Sequence, residues 1–172
     1  MAKNVDFIVS GEVSGLMEDM IDGFPALFDG CDVSKVACVM TQRKKSKVAV
    51  KLHNIGYPKD VLSDKVYIVE IFFEAWKDMD TKKRNLALFH AMCGVPVGGM
   101  DELSKNYGKK KKPDYSMYLE EFAVSGGVPN WMENDDAQDP MDLAAEIAEN
   151  TKDDGVQRSA LTPADVANIG EE

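Results

Sequence analysis

Hydrophobic and polar positions switch between helical and strand periods along this chain. Between Gly15 and Phe28, Leu16, Met20 and Leu27, with Phe24 or Phe28, recur at helical spacing, and Gly23 and Pro25 interrupt the run. Three strand-like runs follow: Lys35–Thr41 (KVACVMT), Lys47–Ile55 (KVAVKLHNI) and Lys65–Phe73 (KVYIVEIFF). The polar QRKKS between the first two is short enough for a hairpin. The third run sets Val66, Ile68 and Glu70 against Tyr67, Val69 and Ile71, so both faces are largely apolar. That pattern predicts a central strand covered on both sides. Thr81 is placed to cap a helix reaching Cys93, with Leu86, Phe89, His90 and Cys93 on its buried face. Gly94 and Pro96 stop it. A last helix spans roughly Asp114 to Val124, and GGVPNW closes the domain. This order predicts an α+β fold, in which a small antiparallel or mixed sheet of about three strands packs against helices.

Composition adds a boundary. A chain of 172 residues with 44% hydrophobic content can bury one sizeable core. Its net charge of −10 is unevenly placed. Residues 1–132 hold 18 acidic and 18 basic side chains, and residues 133–172 hold 12 acidic and 2 basic, so 2 − 12 gives the whole −10. The segment 133–172 has no aromatic residue and few large apolar ones, so little burial is available to offset the entropy of ordering it. The expected organisation is a domain over 1–132 and an acidic, largely disordered tail over 133–172. Within the tail, Pro140 and the Leu143/Ile147 pair predict a short helix over 141–149, formed against a partner or the body.

Several function classes leave no trace. No run of 18 apolar residues exists, so no membrane span is expected, and MAKNVDFIVSGEVSG lacks the apolar core of a secretion signal. Cys31, Cys38 and Cys93 make neither a disulfide framework nor a CxxC zinc site, which fits a reducing cytoplasm. Phosphate-cradle, dinucleotide and nucleophile-elbow motifs are missing; GVPVGGM (94–100) is rich in Gly but follows a helix. Basic clusters stand at Arg43, Lys44, Lys45 and Lys47, at Lys82–Arg84 and at Lys109, Lys110, Lys111 and Lys112. With Tyr107 and Tyr115 beside the last, they are candidates for single-stranded nucleic-acid contact.

One stretch, LALFHAMCGV (86–95), bears on catalysis. A zinc-peptidase helix carries H-E-x-x-H, with two His ligands on one face and a Glu acting on the bound water. Here His90 is present, Ala91 stands at the Glu position and Gly94 at the second His. The surrounding blocks resemble a family of small phage-encoded metallopeptidases. SKVACVMTQRKKSK is similar to the family's ARVAYLF…KKSK, VYIVEIFFEAW (66–76) to its DFVIEIxxDAW, and LALFHAMCG to its helix ending in HELCH. MYLEEFAVSGGVPNW is similar to its HDVEEF helix with a following Gly and Trp. The likeness covers roughly residues 14 to 132.

The resemblance implies a zincin-like arrangement, with a sheet beside the H-E-x-x-H helix and a third ligand from the later helix. It places Met117 at that third ligand and Tyr118 at the neighbouring Asp, while Glu120, Glu121 and Phe122 match. Only His90 keeps a ligand's identity, so the expectation is a degenerate member without zinc or other cofactor and without peptidase activity. Its former groove would be outlined by His90, Ala91, Gly94, Met117, Tyr118 and Glu121. His90 then reads as a hydrogen-bonded core residue whose truncation costs about 1–2 kcal/mol. His53 reads as polar surface. Adjacent Glu120 and Glu121 point in different directions, one to solvent and one toward a Lys.

The functional expectation is a non-catalytic bacteriophage protein in the host cytoplasm, binding a host or phage macromolecule. Its acidic tail has the right charge to compete with nucleic acid for a basic surface. The alternatives are a single-strand nucleic-acid binder screened by its own tail, and a residual zinc peptidase.

Overall fold

The computed structural model of the protein describes residues 7–42, 48–56, 63–113, 117–126 and 134–153. The fold is α+β. Strand β1 (Phe7–Val9) leads into helix α1 (Gly11–Gly23), which Ser10 caps by accepting from Val13 N–H. Strands β2 (Val36–Thr41), β3 (Val50–Asn54) and β4 (Tyr67–Phe72) follow. The helical half comprises α2 (Phe73–Trp76), α3 (Thr81–Cys93), α4 (Leu119–Val124) and α5 (Pro140–Asp153).

The four strands form one mixed sheet in the order β1-β2-β4-β3. β4 lies between a parallel partner, β2, in register Val36↔Tyr67 to Thr41↔Phe72, and an antiparallel one, β3, in register Val50↔Ile71 to Asn54↔Tyr67. The third sequence run is therefore the central strand. The hairpin expected between the first two runs does not form, because β4 is inserted between them. The sheet also gains β1, three residues paired antiparallel with β2, which is too short to announce itself by alternation.

Val50, Leu52, Tyr67, Val69 and Ile71 face the helices, and Lys51, His53, Ile68 and Glu70 face the other way, as period-two alternation requires. α3 crosses the apolar side. It is buried over most of its circumference, from Asn85 to Phe89 and from Ala91 to Cys93, with His90 half-buried. A helix apolar all round belongs inside a fold. Its cap is Asp80, accepting from Lys83 N–H at 2.7 Å, and Thr81 is the first helical residue. Phe24 and Phe28, beyond α1, meet Phe89 edge-on at 5.3 and 5.5 Å between ring centres.

The acidic segment contributes a helix longer than the 141–149 read from the sequence. α5 lies against α1 and α3, with Ala137 and Ala144 buried. Asp139 fixes its start: its carboxylate accepts from Met141 N–H and from the Asn85 amide of α3 at 2.9 and 3.0 Å. The segment is thus packed on the body through Ala137, Pro140 and Ala144, while residues 145–151 are exposed. The expected boundary at 132–133 and residues 154–172 fall outside the described residues. No helix among the described residues is long and apolar enough to cross a membrane.

Candidate functional site

α3 and α4 meet at His90. Nδ1 of His90 lies 2.9 Å from each carboxylate oxygen of Glu121, whose side chain is completely buried. A carboxylate accepts, so Nδ1–H of the imidazole is the donor. Glu121 also accepts from Tyr118 N–H at 2.7 Å, the carboxylate half of a capping box at the start of α4. A carboxylate at the third helical position can satisfy the N–H of the residue before the helix, and here the same carboxylate reaches the neighbouring helix.

Tyr118 stands over the imidazole, with ring centres 5.1 Å apart at 48°. Its hydroxyl is 3.4 Å from the Lys111 carbonyl, and the Lys111 ammonium lies 5.7 Å from its ring centre. That ammonium also pairs with Glu120. The two adjacent Glu residues therefore diverge as helix geometry requires, but the one without a Lys is buried on His90 and does not face solvent.

The electrostatics follow from burial. Burial pushes the Tyr118 hydroxyl up to about 12, with Cys93, Glu121 and Glu120 adding to the effect. Cys93, next to this cluster, is held well above the usual thiol range, by burial first and then by Glu121 and Glu120. It remains a protonated thiol at neutral pH and is a poor metal ligand or nucleophile.

The positions tied to zinc chemistry do not fit that metal. Ala91 is buried and offers no donor. At Gly94 an added Cβ would stand 3.0 Å from Ala91 O, Leu52 Cδ2 and Tyr118 Oη, so the space of a second ligand is filled. His90 gives its Nδ1 to Glu121. Met117 is half-buried at the edge of the core. Among the described residues no group of three or more His, Cys, Asp or Glu side chains is placed to hold a metal. A catalytic zinc requires three protein ligands and an open position.

The lysine run is divided. Lys110 donates to Leu52 O at 3.0 Å and Lys111 pairs with Glu120, while Lys109 and Lys112 are exposed. Tyr107 packs against the core, so its ring is not a free stacking platform. In the other cluster Lys82 reaches Asp135 O, and Arg84 lies over Trp76 and donates to its carbonyl. Arg43, Lys44 and Lys45 lie outside the described residues.

Two features escaped sequence reasoning. His53 is not simply polar surface: its Nε2 is 2.8 Å from Glu70, whose side chain is nearly buried on the sheet face opposite the helices. The strand register carried that signal, since His53 and Glu70 share a face on adjacent strands. The second feature is acidic. α1 exposes Glu12, Glu18, Asp19 and Asp22, and α5 exposes Asp142, Glu146 and Glu149. Neither helix has a Lys or Arg through residue 151. Among the described residues none of these carboxylates has an ion-pair partner.

No family model, curated protein or solved structure matches the chain.

Proposed function

We propose that this chain is a non-catalytic, phage-type protein with a degenerate metallopeptidase-like fold. In this reading it works in the host cytoplasm by binding a host or phage protein through the acidic helix pair α1–α5. The observation that carries the proposal is the run of exposed carboxylates on those two helices, which have no ion-pair partner among the described residues. Glu18 and Asp22, and Asp142 and Glu146, are like charges four residues apart, each pair unfavourable by about 0.2–0.5 kcal/mol on an isolated helix. A basic partner surface, of the kind that holds nucleic acid, relieves that repulsion and is attracted over a long range.

The zincin-like arrangement belongs to the same proposal. It is supported by a His-bearing helix lying along a mixed sheet and by a later helix whose carboxylate meets that His. Single-strand binding by the lysine run has less support, since Lys110 and Lys111 already have partners within the chain. A residual zinc peptidase has less still, because Gly94 has no room for a ligand.

The test is capture of partners from host lysate with the full chain and with a variant carrying Glu18→Gln, Asp22→Asn, Asp142→Asn and Glu146→Gln. The expected result is a basic protein retained by the parent, released by salt and lost with the variant. Equal capture by both chains would move the interface elsewhere.

A further inference from the structure

We infer that Tyr118 and Gly94 form a steric lock that closes position 94, the motif partner of His90, to a second ligand, with Glu121 holding Tyr118 and His90 in place. The inference concerns side chains between α3 and α4 and is independent of how α1 and α5 meet a partner.

Residues on one helix face stand three or four positions apart, and in the four-apart spacing of the H-E-x-x-H motif position 94 is the partner of His90. The space there is bounded on three sides. A Cβ at 94 would lie 3.0 Å from the Ala91 carbonyl, which the helix backbone fixes, and 3.0 Å from Leu52 Cδ2, which belongs to the packed core. The third neighbour, also at 3.0 Å, is Tyr118 Oη. A side chain longer than methyl therefore enters only if Tyr118 leaves.

Tyr118 is held in that place from both ends. Its backbone N–H donates to Glu121, and its ring meets the His90 imidazole at 5.1 Å and the Lys111 ammonium at 5.7 Å. Glu121 simultaneously takes Nδ1 of His90. One buried carboxylate thus fixes the ring that fills the second ligand's space and the orientation of the first ligand. The position is closed by construction, and reinstating the motif residue at 94 does not reopen it.

The lock is tested with cobalt(II) as the probe, on the full chain carrying Gly94→His, Tyr118→Ala or both. Gly94→His alone is expected to lower Tm and to bind cobalt no better than the parent. Adding Tyr118→Ala is expected to raise the Tm of Gly94→His and to tighten cobalt binding by about tenfold or more over either single variant, roughly 1.4 kcal/mol. The cobalt d–d absorption bands report the two-His site directly. Cobalt bound as tightly by Gly94→His alone as by the double variant would overturn the lock. So would Tm losses that simply add. Should Gly94→His not fold, Gly94→Ala replaces it. Its Tm loss is expected to shrink on the Tyr118→Ala background, and an equal loss on both backgrounds would overturn the inference.

Discussion

Gly23, the last residue of α1, touches Ala144 of α5 so closely that a Cβ on Gly23 would stand 2.6 Å from the Ala144 Cβ. Neither group is the end of a flexible side chain, so the backbones themselves must part if either grows. Gly23→Ala is therefore expected to destabilise the protein by about 1–3 kcal/mol, as overpacking does. On the Ala144→Gly background the same substitution should be nearly neutral. Urea unfolding of the two singles and the double measures this, and a full loss in both backgrounds would place the strain elsewhere.

His90 is a heavier contributor than a lone half-buried imidazole would be. Its truncation leaves the Glu121 carboxyl inside the domain without the ring that faces both oxygens. His90→Ala is expected to cost about 3 kcal/mol, above the 1–2 kcal/mol read from sequence, because a buried partner is stranded. Glu121→Ala should cost a similar amount and the double variant less than the sum, which a thermodynamic cycle on denaturant midpoints reports.

Alkaline stability follows from the buried hydroxyls and thiols. Burial raises Cys31 from 9.0 to about 11, and Tyr67 and Tyr118 from 10.0 to about 12. Each group stays protonated in the folded state at pH values where the unfolded chain has already lost its proton. Stability from these groups is complete below about pH 9 and declines as pH rises through 9–12. Urea midpoints measured from pH 7 to 11 should fall above 9, and less steeply in Tyr118→Phe. A flat profile would contradict the burial of these groups.

The lysine run should separate by role. Lys110→Ala removes a donor to Leu52 O on β3 and is expected to cost about 1 kcal/mol of stability. Lys109→Ala and Lys112→Ala, both at exposed positions, should change it by less than about 0.5 kcal/mol. Thermal unfolding of the three variants decides this, and equal losses would show that these three lysines share one structural role.

What the sequence carried clearly was local. α3 runs from Thr81 to Cys93 as its periodicity indicates, and the apolar character of both faces of Tyr67–Phe72 marks the central strand. What it hid was long-range. No alternation pattern tells β2 that its neighbour is β4, because the parallel register from Val36↔Tyr67 is set by the whole sheet. The docking of α5 depends on two small residues, Gly23 and Ala144, whose importance lies in the side chains they lack. At the candidate site, His90 and Glu121 were both legible as notable residues. Their pairing was not, since α4 supplies Glu121 from 31 positions away and only the turn of a six-residue helix decides which of two adjacent carboxylates points inward.

The strand order has a consequence for synthesis. A ribosome delivers β2, then β3, then β4, yet β4 is the strand that both earlier ones pair with. Until residue 72 has emerged, β3 has no mate and β2 has only the three residues of β1. The sheet therefore cannot grow outward from the N-terminus as it is made. It waits for β4, so a nascent chain halted before that strand exposes strand edges to its neighbours. A pause in translation is better tolerated after Phe72 than before Tyr67, and the order of manufacture, as much as the finished contacts, governs how safely this protein reaches its fold.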